Sequence, residues 1–112
     1  MPVVQKFSYR QADGSIIPHD SDKVHFMLED WIKSLSEIEQ QEYREADKRQ
    51  KALRKQVVDE GKMSIAPGGT KYVWKDEKAC KNGKPEDPVW GKYWRRYMAE
   101  TKQQIVVTYE NV

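Results

Sequence analysis

The chain has 112 residues, with 20 Lys and Arg against 18 Asp and Glu for a net charge of +2, which bounds it to one domain of nearly balanced charge. Hydrophobic residues make up only 38% and mean hydropathy is -0.96, yet 11% of the residues are aromatic, more than disordered chains usually carry. A transmembrane helix is excluded by the lack of a run of about 18 apolar residues; an intramolecular disulfide is excluded by the lone Cys80; and the charge lacks the strongly basic bias of many nucleic-acid-binding domains.

Residues Met1 to Arg10 hold no apolar core of a secretory leader, so the expected location is the cytoplasm, or a larger assembly such as a virion. This same stretch reads as a strand, because period-2 alternation puts Val3, Phe7 and Tyr9 on one face. Asp13-Gly14 is a turn pair, and Ser15-Ile16-Ile17 can return as a short second strand stopped by Pro18. Next, Val24, Met27, Leu28, Trp31, Ile32 and Leu35 recur every three or four residues, the stripe of an amphipathic helix. Ser21 stands where its hydroxyl can cap the first turn.

Ser36 and Glu39 form a capping-box pattern, which predicts a break near Ser36 and a second helix ending at Gly61. Its apolar register is sparse: Tyr43, Ala46, Gln50, Leu53, Val57. Acidic residues crowd its first half and basic residues its second, which suits the helix dipole. Glu45 with Arg49 and Asp47 with Lys51 are spaced for i,i+4 pairs, and the run Lys48, Arg49, Lys51, Arg54, Lys55 reads as a solvated face.

Lys62 to Ile65 and Thr70 to Lys75 flank Ala66-Pro67-Gly68-Gly69 and read as a hairpin. The polar stretch from Lys75 to Pro88 reads as a loop with room for one helical turn. Asp87 and Pro88 supply an N-cap and a first-turn proline for a third long helix, striped by Val89, Trp90, Tyr93, Trp94, Tyr97 and Met98. A last strand carries Ile105, Val107 and Tyr109 on one side. The fold class is therefore α+β, a single small domain over residues 1–112 with the order β-β-α-α-β-β-α-β, a long charged second helix and short antiparallel strands. The two terminal strands are expected to be neighbours.

Chemistry-bearing motifs are weak. Asp22 and His25 could share a metal, but a site needs three or four convergent ligands, and the chain has only two His. Cys80 between Lys78 and Lys81 has cations that can lower a thiol pKa, but no recognisable base or oxyanion donor. Pro67-Gly68-Gly69-Thr70 lacks the lysine and the following helix of a phosphate loop. The expectation is no metal, no cofactor and no enzymatic activity.

What stands out is rings among cations. Residues 62 to 112 hold ten Lys and Arg against six Asp and Glu. Trp, Tyr and Arg favour interface hot spots. The candidate binding residues are Tyr72, Trp74, Trp90, Arg95 and Arg96, with Trp94 turned inward, the two arginines at the rim and Trp74 partly exposed. The function expected is a small non-enzymatic interaction or assembly protein that docks onto a larger protein complex or onto itself, as a viral-particle component, inhibitor or adaptor would. The alternative is a nucleic-acid-binding module that uses the basic, aromatic C-terminal half.

Overall fold

The computed structural model describes all residues from Met1 to Val112. Strand β1 (Val3–Arg10) is the backbone of a five-stranded antiparallel sheet, and each of its edges is treated differently. One edge pairs along its whole length with β5 (Gln104–Asn111), from Val3 opposite Asn111 to Arg10 opposite Gln104. The other edge is shared. Its start pairs with β4 (Lys71–Trp74), its end with β2 (Ile16–Pro18), and β3 (Met63–Ile65) adds beyond β4. The terminal strands are thus neighbours, as the sequence suggests.

The helices are α1 (Asp22–Lys33), α2 (Glu37–Asp59), the short α3 (Glu77–Asn82) and α4 (Pro88–Glu100). The order agrees with the α+β reading, with α3 as the helical turn allowed for in the polar stretch. No helix is long and apolar enough to cross a membrane. At the α1–α2 break the capping box forms: the Ser36 hydroxyl accepts from the Glu39 amide, and the Glu39 carboxylate accepts from the Ser36 amide. Gly61 ends α2 at φ 74°, where the amides of Gly61 and Lys62 close back onto Val58 and Val57. Gly68 and Gly69, at φ 84° and 71°, turn the β3–β4 hairpin through a single 3-10 turn.

Two local expectations are corrected. Ser21 occupies the N-cap of α1, but its hydroxyl bonds nothing there; its own carbonyl accepts the Val24 amide in a tighter first turn. Arg49 does not pair with Glu45. It reaches across to Asp87, 2.7 Å away, because the start of α4 lies beside this face of α2. Asp47 and Lys51 do pair, at 3.0 Å.

Three separate apolar clusters hold the layers together. Trp31, Ile32, Leu35, Tyr43, Tyr93 and Tyr97 join α1, α2 and α4. Val3, Val57, Met63, Tyr72 and Trp74 join the end of α2 to β1, β3 and β4. Tyr9, Ile17 and Val24 join α1 to β1 and β2. A small domain usually builds one contiguous core; here Trp94 and Met98 pack against both the first and the third cluster, and residues in or against all three line a cavity.

Candidate functional site

The residues chosen from sequence do not form one surface. Trp74 is 2% exposed and Tyr72 is 7% exposed, so the expectation of a partly exposed Trp74 is overturned. The reason is α2. Its last turns lie over β3 and β4, Val57 packs into their cluster, and the Trp74 indole donates to the Gln5 side chain at 2.9 Å. Trp90 and Trp94 pack in a different cluster from Trp74. They pack at 5.5 Å from each other beside the α1–α4 cluster, and Trp94 stacks on Tyr9 at 6.3 Å with an interplanar angle of 12°.

Arg95 and Arg96 are exposed, as expected, but neither is a free cation. Arg95 binds Glu86 at 3.0 Å. Arg96 binds Glu39 at 2.6 Å and Glu100 at 2.9 Å, and its guanidinium lies 5.7 Å from the Trp31 ring. The Arg96 bond, followed by those from Ser36, holds the Glu39 carboxyl down at about 2. The carboxylates come from Glu39 on α2, Glu86 ahead of α4 and Glu100 in its last turn, so these two arginines are paired inside the chain.

Asp87 is the organising residue of the α2–α4 contact. Its carboxylate accepts the amides of Val89 and Trp90 as the N-cap of α4 and receives Arg49 from α2. Its own amide donates to the buried Gln50 at 2.8 Å. Arg49, then the capping bonds, keep the Asp87 carboxyl below the usual range. The capping role is readable from Asp87-Pro88. The latch to Arg49 and Gln50, more than thirty residues earlier, is not.

A cavity of about 350 Å³, open to solvent on one side, draws its walls from residues in or against all three clusters: Phe7, Tyr9 and Tyr72 from the sheet, with Ile105 of β5, Ile32 and Tyr43 from α1 and α2, and Trp90 and Trp94 from α4. Its charged lining holds four cations, Arg44, Lys51, Arg54 and Lys84, against two carboxylates, Glu29 and Asp47. Arg44 faces Glu29 at 3.8 Å and Lys51 faces Asp47 at 3.0 Å. Arg54 and Lys84 are left without an acidic partner, with the Lys84 ammonium 5.1 Å from the Tyr72 ring centre. Arg54 therefore departs from the solvated face expected of the basic run; it is half-buried at the cavity.

His19 also lines this cavity, its Nδ1 2.6 Å from the Tyr9 hydroxyl. Burial, then the nearby Arg54, lowers its pKa. His25 is exposed and meets Phe26 edge-on at 5.8 Å, and no group of three or more His, Cys, Asp or Glu comes together in the chain. Cys80 is half-buried, and burial pushes its thiol up, opposite to the activation that Lys78 and Lys81 would give.

A second feature is the outer edge of β5. The Val112 amide donates to the Pro2 carbonyl, and pairing alternates from there, so Glu110, Thr108, Val106 and Gln104 bond β1. The amides and carbonyls of Ile105, Val107, Tyr109 and Asn111 consequently point away from the sheet. No strand or helix covers them: β5 pairs with β1 alone. On the helix-bearing face of this edge, Ile105 is 52% and Tyr109 is 59% exposed.

These observations define a small α+β domain with a ring-lined central cavity and one open, full-length sheet edge. Compared with family models, curated proteins and solved structures, the chain matches none.

Proposed function

We propose that this chain is a small non-enzymatic assembly protein whose docking element is the outer edge of β5, and that the partner is a second copy of the chain. The supporting observation is the unguarded state of that edge. Natural proteins blunt an edge strand with lysine, proline, a bulge or a cover. The eight residues Gln104–Asn111 contain neither Lys nor Pro, their register with β1 is unbroken, and their one charge, Glu110, is turned to Lys6 at 3.7 Å.

The strand is also complementary to itself. In an antiparallel pair centred on Val107, Ile105 meets Tyr109 and Val107 meets Val107 on one face. Val106 meets Thr108 and Gln104 meets Glu110 on the other. No like charges oppose each other, and aromatic against β-branched pairs are favourable cross-strand neighbours. The outward groups of Ile105, Val107 and Tyr109 then acquire partners, and two five-stranded sheets become one of ten.

Sedimentation across a concentration series tests this. The expected result is a reversible shift from the 13.2 kDa chain mass to twice that value. Val107→Pro should hold the protein as a monomer, because it removes an outward amide and leaves the ladder to β1 intact. A wild-type chain that stays monomeric at all concentrations, or a Val107→Pro variant that dimerises like wild type, would sink self-pairing at β5. A monomer that binds an extended peptide along β5 would transfer the edge to a different protein partner.

A further inference from the structure

The cavity carries an inference that does not rest on pairing at β5, although Ile105 of that strand is one of its walls. We propose that it is a binding site for a small planar aromatic molecule bearing one anionic group, a phosphate or a carboxylate, with Arg54 and Lys84 holding the anion and the rings of Tyr72, Trp90 and Trp94 flanking the planar part.

Three observations converge on this. The cavity, at about 350 Å³, sits at the small end of the ~300–1,000 Å³ range of ligand pockets, room for one ring system and its substituent. Residues that belong to or pack against all three clusters line it. Of its cations, Arg44 and Lys51 have carboxylate partners, whereas Arg54 and Lys84 are half-buried without one. Cations without a carboxylate partner favour an anion that brings its own counter-charge, and guanidinium geometry suits phosphate or carboxylate oxygens.

His19 adds a polar group on the same wall. With Nδ1 accepting from the Tyr9 hydroxyl, its Nε2–H remains as a donor. Rings on both the sheet side and the α4 side give a planar ligand two apolar faces.

The test uses anilinonaphthalene sulfonate, a fluorescent aromatic anion, as the probe on the full chain, with displacement by four competitors. Phenyl phosphate or benzoate should displace it, and which does so more strongly identifies the anionic group. Inorganic phosphate, which has no ring, and benzyl alcohol, which has no charge, should displace it poorly. Arg54→Met and Lys84→Met keep the apolar stems, and each should weaken probe binding by roughly tenfold or more, the loss expected for a hydrogen bond to a charged group. Lys84 follows α3 in a loop, so its substitution keeps the test valid if Arg54→Met lowers the melting temperature. Probe binding unchanged in both variants, or displaced as well by benzyl alcohol as by phenyl phosphate, would overturn the proposal.

Discussion

Strands β4 and β5 flank the same strand, present aromatic side chains to the same face, and meet opposite fates. On β4, Tyr72 and Trp74 are 7% and 2% exposed; on β5, Tyr109 is 59% exposed. Residue type does not account for this, since Tyr72 and Tyr109 are both opposite Gln5 of β1. The difference is the helix layer. α2 leaves its capping box at Ser36, runs 23 residues, and delivers Val57 over β3 and β4, while nothing is delivered over β5. Burial at these two positions therefore depends on which strand lies under α2, and the uncovered side is the one with free backbone groups.

The sharpest way to break that comparison is to truncate one ring on each side. Trp74→Ala removes a buried indole and its bond to Gln5, and should cost about 3–5 kcal/mol, a large share of the roughly 5–15 kcal/mol that stabilises a domain. Tyr109→Ser should change stability by about 0.5 kcal/mol or less. Urea denaturation of dilute protein, where strand self-pairing does not contribute, compares them directly. Equal losses would mean that β5 is covered after all.

A pair of prolines sharpens it within β5 itself. Val106 bonds Ser8 of β1, so Val106→Pro breaks the ladder and leaves a buried acceptor unpaired, a cost of about 1–3 kcal/mol. Val107→Pro, one residue on, should cost the monomer about 1 kcal/mol at most, because its amide faces outward. Amide exchange reports the same alternation, with the Val106 amide protected and the Val107 amide fast in dilute protein.

The smallest effect is in pH. Glu39 and Asp87, at the starts of α2 and α4, have carboxyl groups held below their unfolded values of about 4.3 and 3.9. The stability they contribute is complete above about pH 5 and is lost as pH falls toward about 2, where Glu39 titrates in the folded chain. His19, kept neutral chiefly by burial, adds a shallower loss that begins as pH drops below about 6.5, because the unfolded chain takes up that proton first. Denaturation midpoints measured from pH 7 to pH 2 should fall in two stages. His19→Gln should remove the upper stage, and Asp87→Asn should shrink the lower one. A midpoint that stays flat to pH 3 would contradict both.

Some of this molecule is legible along the chain. The capping box at Ser36, the Asp87-Pro88 start of α4, the glycine turns and the stripes of α1 and α4 are written within four or five residues of one another, because helices and turns close their hydrogen bonds locally. The α+β order and the interior-facing side of β1 follow from that periodicity. The candidate site was only partly readable. Arg95 and Arg96 are exposed as expected, but a local charge surplus does not reveal that Glu86 and Glu39 pair with them.

Tertiary structure alone decided the rest. Trp74 is buried because α2 lands on β4. Arg54 and Lys84, thirty residues apart, share one cavity because α2 passes beside the loop that follows α3. β5 is bare because the helices were used elsewhere. A period of 2 or 3.6 identifies the apolar face of an element, but whether a neighbour covers that face depends on contacts between residues far apart in the chain, and no local pattern encodes which distant element arrives.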